Sequence, residues 1–348
     1  MNIKSALTNT LAVAAVAVAG FGATAETEDE PQLVTVTLKQ DDPINTSSLV
    51  GLGGCAGWSD GSVAAIDPNK EYVVNGCNLR TPLSDSVGVY TDDVLTFGGG
   101  LLTFQGTGTG FSGAGSKLTL KCLDKTFVVP RLRVASGEFL MEHGQLTSAL
   151  ANDIVVSGVD WQVAPEATIW FSAFYVNSDM QSRRLVVKAP ISGTGTLRCA
   201  GEGLSAGRAD MPGKIVFENA DNASFTGRFT TRAHANSSEP VEISFLTSES
   251  WFGNPSEECA DGVVISDNAA IDFECSLQQT GANRGFTFTG SGSVISVAEG
   301  KTVTIDGRIV APHGFVKKGR GELIIASTGS SVGGGDQRPG GHAARVGR

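Results

Sequence analysis

The stretch FVKKGRGELIIAS, Phe315 to Ser327, decides how the chain folds. Two lysines and an arginine set around Gly319 and Gly321 suit three structures: a phosphate-gripping turn, a nucleic-acid contact, or a bend that feeds a strand. A phosphate turn needs a helix N-terminus to supply free N–H groups and a positive dipole end. After Gly321 the chain runs Glu-Leu-Ile-Ile, a β-prone segment bounded by turn residues. The bend remains: Gly319 and Gly321 permit it, Lys317, Lys318 and Arg320 keep it solvated, and Leu323 and Ile325 point into a core.

Outward from this stretch, the same Gly-x-Gly-x-apolar pattern occurs at Gly98-Gly99-Gly100-Leu101, Gly193-Thr194-Gly195-Thr196-Leu197 and Gly290-Ser291-Gly292-Ser293-Val294. Counting from 98, 193, 290 and 319, the intervals are 95, 97 and 29 residues, the first two close to four units of about 24. Gly98, Gly100, Gly193, Gly195, Gly290, Gly292, Gly319 and Gly321 are therefore the candidate repeat-turn glycines. Between such turns apolar and polar residues alternate, as in Leu33 to Leu38, Lys117 to Lys121, Val241 to Phe245, Phe286 to Thr289 and Lys301 to Ile305, which is the signature of half-buried strands.

Composition agrees: 45 of 348 residues are glycine and only 18% are charged, which suits many short strands joined by tight turns. An all-β parallel solenoid accounts for these features together, because each coil stacks its inward side chains on the coil before and bends through glycine. Antiparallel β-sandwich domains are the alternative. Asn75-Gly76, Asp60-Gly61, Asp261-Gly262 and Asp306-Gly307 are hairpin dipeptides, and residues 240–275 read as a distinct or inserted segment.

Residues 1–25 read as a signal peptide: Lys4, an apolar stretch from Leu11 to Gly22, then Ala23-Thr24-Ala25. The apolar stretch is shorter than the roughly 20 residues of a membrane-spanning helix and none later is longer, so no stable transmembrane segment is expected after cleavage. Residues 26–31 form an acidic lead-in, 32–329 the solenoid, and 330–348 a Gly/Arg-rich tail disordered by composition. Six cysteines in an exported chain make Cys55 with Cys77 and Cys259 with Cys275 the candidate disulfides. No C-x-x-C occurs and no His stands at ligand spacing, so neither a metal nor a cofactor is expected. The net charge of −10 excludes nucleic acid as a partner.

Three segments, ISGTGTLRCAGEGL (191–204), KIVFENADNASFTGRFTT (214–231) and GFVKKGRGELIIASTG (314–329), resemble the autotransporter-associated β-strand repeat of bacterial surface and secreted passengers. Lys318-Gly319-Arg320-Gly321-Glu322-Leu323 carries the K-x-G-x-G-x-L core in compressed form, and Asn222-Ala223-Ser224-Phe225-Thr226-Gly227 carries the N-x-(Y/F)-T-G close. The resemblance implies a right-handed parallel β-helix. It departs at Ser330 onward, where no strands of a membrane barrel follow.

Enzyme motifs fail on their surroundings. Gly203-Leu204-Ser205-Ala206-Gly207 fits a nucleophile elbow, yet Pro212 and Gly213 stop the helix that must come next. Gly108 to Gly113 fits a dinucleotide fingerprint but precedes a strand. Adjacent Asp41-Asp42 and Asp92-Asp93 aim at opposite faces of a strand. The densest aromatic cluster, Trp170, Phe171, Phe174 and Tyr175, supplies the candidate glycan contacts, although alternation sends Trp170 and Phe171 to opposite faces. The expected function is an exported cell-surface, outer-membrane-associated or secreted structural or adhesive protein without a catalytic centre, with extracellular glycans or matrix and cell-surface proteins as partners. The alternatives are a β-helix polysaccharide lyase or glycoside hydrolase, marked by two or three outward acids beside a Lys or Arg, and a carbohydrate-binding module, marked by an open shelf containing Trp170.

Overall fold

The computed structural model describes residues 32–37, 67–76, 78–80, 93–106, 115–120, 125–143, 153–173, 184–200, 213–218, 221–233, 240–333 and 344–346. The signal-peptide and lead-in residues 1–31, Cys55, Cys77, Phe174 and Tyr175 lie outside them. The chain divides into two compact units at Gln32, and all the described strands belong to the unit Leu33–Arg348.

Short strands recur coil after coil, and among the described residues all but Ala344–Val346 pair in parallel with a counterpart one turn away. One sheet of six runs Val34–Thr37, Lys70–Asn75, Leu101–Gln105, Arg131–Val134, Asp160–Val163, Ile191–Gly193. A second sheet of nine begins at Val94–Thr96 and passes through Asp153–Ser157, Arg184–Val187, Lys214–Phe217, Val241–Phe245, Ala269–Phe273 and Val294–Val297 to Val316–Lys318. A third sheet of ten extends from Asn78–Arg80 through Gly137–His143, Ala167–Ala173, Thr196–Ala200, Arg228–Arg232, Cys259–Ile265 and Arg284–Phe288 to Ser331–Val332. From Val94–Thr96 to Thr196–Ala200 each coil visits the second, first and third sheets in that order, and from Lys214–Phe217 to Val294–Val297 the described strands alternate between the second and third. This is a parallel β-solenoid, and its stacking is consistent with the right-handed sense that parallel crossovers adopt.

Antiparallel sandwiches are excluded by this pairing, because the single antiparallel ladder among the described residues joins Glu322–Ile325 to Ala344–Val346. Residues 240–275 lie in the same parallel ladders as their neighbours: Ile215 pairs with Ile243 and Ile243 with Ile271. Asp306-Gly307 and Asp261-Gly262 serve coil corners or strands instead of hairpins. The tail also differs from expectation. Ser331–Val332 pairs with Val310–Ala311, and Ala344–Val346 caps the edge of Glu322–Ile325. Backbone pairing of this kind needs no alternating side chains, so composition misses it.

Coil length is uneven. On the second sheet Leu95 pairs with Phe127, 32 residues on, Leu185 with Ile215 after 30, and Ile295 with Lys317 after only 22. A uniform unit of about 24 is therefore not the rule. The core is a column of stacked apolar side chains: Ile154, Leu185, Ile215, Ile243, Ile271 and Ile295 form one row, and Phe217, Phe245 and Phe273 stack at ring separations of 5.1 and 5.7 Å. Such contacts add to simple burial of apolar area.

Between Ile191–Gly193 and Thr302–Ile305 the face of the first sheet has no regular strand among the described residues. Isolated bridges, Gly193 with Phe225 and Leu277 with Val303, hold the register there. Trp251 and Phe252 fill the core at this level, and polar staples replace the missing ladder. Asn222, fully buried, accepts the Ile191 N–H at 2.8 Å and donates to the Ser250 carbonyl at 2.8 Å, tying three coils. Arg284, also 0% exposed, donates Nε to Gly253 O at 2.8 Å, Nη1 to Gly227 O at 2.7 Å and Gly262 O at 3.2 Å, and Nη2 to Phe225 O at 3.0 Å and to Gly253 O. Burial pushes its guanidinium down to about 10, so it stays charged at neutral pH.

Candidate functional site

The repeat-turn glycines fall where one coil crosses closely over the last. Gly193 (φ 107°) and Gly319 (φ 71°) adopt the left-handed region, and a Cβ on either would lie 2.1 Å from Val163 O or 2.2 Å from Val297 O. Gly195 and Gly321 repeat the arrangement one step on, 2.2 Å from Ala164 O and from Ala298 O. These two copies are thus geometrically equivalent. Gly100 approaches Pro68 O in a similar way, beside an exposed Gly98, whereas Gly290 and Gly292 pack against the Asp267 side chain. Glycine at these corners answers a close backbone approach as much as a tight bend.

Around residues 315–327, Arg320 is exposed and faces Glu299 at 3.5 Å, and Leu323 is buried. Lys317 corrects the expectation that all three cations merely solvate the bend. It is in register with Ile295, an inward position, and turns its amine back onto Gly319 O at 2.7 Å and onto Gly321 O. The last inward position of this column therefore ends in a hydrogen-bonded cation.

Phe171 points into the core at 0% exposure. Trp170 points outward, yet at 2% exposure it forms a separate apolar cluster with Leu140 and Ala200, with the Arg198 guanidinium 4.3 Å from its ring centre. Neither ring offers an open face to a ligand, so the shelf that would mark a binding module is not formed by them. Cys259 and Cys275 are both free thiols, which corrects the candidate bridge between them. They belong to different sheets, at the start of Cys259–Ile265 and just past Ala269–Phe273, and the Cys259 thiol instead donates to Asp261 Oδ1 at 3.4 Å. Asp93 is exposed and pairs with Lys125 at 2.8 Å.

The most concentrated chemistry lies on the outer surface of the second sheet. Ile215, Phe217, Ile243, Phe245, Ile271 and Phe273 point inward, so alternation sends Lys214, Glu218, Glu242, Ser244, Asp272 and Glu274 outward. The Lys214 ammonium stands 3.8 Å from Glu242 Oε2, 3.9 Å from Asp272 Oδ2 and 3.7 Å from Glu274 Oε1. Its neighbours are balanced pairs, Arg184 with Asp153 and Lys188 with Glu218 at 3.2 Å. Burial raises the Asp272 carboxyl above its ordinary value, against the pull of Lys214, a hydrogen bond from Ser296 and the charge of Lys318. Ser244 is fully buried within this patch, and its Oγ has no hydrogen-bond partner.

Sequence reasoning missed this cluster, though a signal existed. Lys214-Ile-Val-Phe-Glu218, Glu242-Ile-Ser-Phe-Leu246 and Ala270-Ile-Asp-Phe-Glu274 align at intervals of 28, and that alignment alone stacks the charged positions. Among the described residues no group of His, Cys, Asp and Glu is arranged to hold a metal ion, and no helix is long and apolar enough to cross a membrane. No family model, no curated protein and no solved structure matches the chain, so its function is read from this geometry and these residues alone.

Proposed function

We propose that the chain is an exported structural or adhesive protein of the cell surface or secreted space, similar in kind to an autotransporter passenger. The observation that carries this reading is the unbroken parallel stacking of short coils in sheets of nine and ten strands. Such a stack repeats similar outer positions at about 4.8 Å intervals, which suits many weak contacts to an extended partner rather than one deep site. Its signal-peptide-like start and the Gly-x-Gly corners shared with the passenger repeat add support. Binding of the purified chain to immobilised matrix proteins and glycans, with export followed in the producing cell, tests it. A chain that stays in the cytoplasm, or that binds no surface component, would overturn the reading.

A second reading, a glycan-cleaving β-helix, is favoured by one observation. Lys214 stands beside three outward acids, and Asp272 is the carboxyl that burial holds toward its protonated, acid-competent form. Asp272 Oδ2 and Glu242 Oε2 stand 3.9 and 3.8 Å from that one ammonium, so the two carboxyls share a single outer face. Release of reducing ends from polysaccharides, abolished in Asp272→Asn, would decide for it.

A further inference from the structure

We propose that the outer patch of Lys214, Glu242, Ser244, Asp272 and Glu274 is a binding site for amine-bearing sugars, hexosamine units whose ammonium sits beside free hydroxyls. The proposal rests on the surface-binding reading and names a ligand for it. Lys214 belongs to the coil of Lys214–Phe217, and its amine reaches Asp272 and Glu274 two coils further on. Its side chain must therefore cross the coil of Val241–Phe245, which carries Ser244 between Val216 and Asp272 in one outward row. That crossing accounts for a serine that faces outward and is nevertheless wholly buried.

Two features point to a ligand. Three carboxylates share one close ammonium that none of them approaches nearer than 3.7 Å, with only the longer-range charges of Lys318 on Asp272 and Arg184 on Glu274 beside it, so the Lys214 cation is loosely held. Beneath that cation lies a hydroxyl with no partner, a group that costs about 1–3 kcal/mol when left unsatisfied in a folded protein. A ligand ammonium taking the place of the Lys214 amine would keep the carboxylates compensated, and a hydroxyl next to it would reach Ser244. Acidic glycans are repelled by the same carboxylates. A lysine-rich peptide supplies the ammonium but lacks the neighbouring hydroxyl.

The test is calorimetric titration of the full chain, at a pH where amines are charged, with a glucosamine oligomer, its N-acetylated counterpart and an oligolysine of equal charge. Selective binding of the glucosamine oligomer is expected. Ser244→Ala should weaken it roughly 2- to 10-fold and Asp272→Asn by about tenfold or more, the worth of one neutral and one charged hydrogen bond. Lys214→Ala should tighten it, because the internal competitor is gone. Ser244→Ala removes a hydroxyl with no partner and should leave folding intact, so a loss there reports binding. Equal binding of the acetylated oligomer or the oligolysine, or an affinity unchanged by Ser244→Ala, overturns the proposal. If the chain still adheres to matrix or other glycans with these variants unchanged, the amino-sugar site fails while the surface-binding function stands; if nothing binds, both fail.

Discussion

Replacing Arg284 with methionine is the sharpest test of how the irregular face is held. The guanidinium donates to the carbonyls of Phe225, Gly227, Gly253 and Gly262, and no carboxylate among the described residues pairs with it. Methionine fills similar volume; Phe225 O keeps the Gly253 N–H at 3.0 Å, but the carbonyls of Gly227, Gly253 and Gly262 lose the guanidinium donor, at about 1.5–2 kcal/mol each, or roughly 5–6 kcal/mol. Against this, removing a buried charge relieves its desolvation. The fall from 12.5 to about 10 puts that relief at roughly 3 kcal/mol. The net expectation is a loss of about 2–3 kcal/mol. Urea denaturation followed by circular dichroism should show a clearly lower midpoint, and hydrogen exchange should rise first around residues 222–233 and 250–262. Arg284→Lys, with fewer donors and no fork, should fall between the two. A methionine variant as stable as the parent would refute the reasoning, since it would mean that the carbonyls do not depend on the cation, as happens where buried ions are net costs.

Gly319→Ala should destabilise by at least about 2 kcal/mol, combining a left-handed φ with a Cβ 2.2 Å from Val297 O, whereas Gly300→Ala, at φ 74° with open space around it, should cost only about 1 kcal/mol; paired denaturation curves compare them. Asn222→Ala orphans the Ile191 N–H and the Ser250 carbonyl and should cost about 2–4 kcal/mol in the same assay. For Asp272 the sign follows from a folded-state carboxyl raised above its unfolded value. Its favourable contribution is complete below the ordinary aspartate range and is lost as pH rises through the higher folded value, so melting temperature against pH should flatten in Asp272→Asn over that window. Mass spectrometry without reductant should find Cys259 and Cys275 unbridged to each other, and burial, which raises both thiols, should slow their alkylation.

The alternation in Val241–Phe245, Thr302–Ile305 and Ser116–Leu120 made strands legible because side-chain period is a property of single segments. Corners were legible for the same reason: Gly193 and Gly319 need glycine locally. Relations between coils were not. Lys214, Glu242 and Asp272 stand 28 or more residues apart, and their meeting depends on a register set by the lengths of intervening corners. Cys259 and Cys275 looked paired because they are close in sequence, but a solenoid places near neighbours on different faces. Alternation sent Trp170 and Phe171 to opposite faces, and the outward ring, Trp170, proved to be buried as well.

The staples on the irregular face also limit how this chain can be edited. A solenoid joined only by its ladders could lose or duplicate one coil and reseal, since every junction would be equivalent. Arg284 bonds to Gly227 and Phe225, 57 and 59 residues earlier, and so clasps coils that are not adjacent in the chain. Excising any turn between them would strand the clasp. Residues 222–284 therefore act as one block, and whole coils are expected to be added or removed without loss only on either side of it.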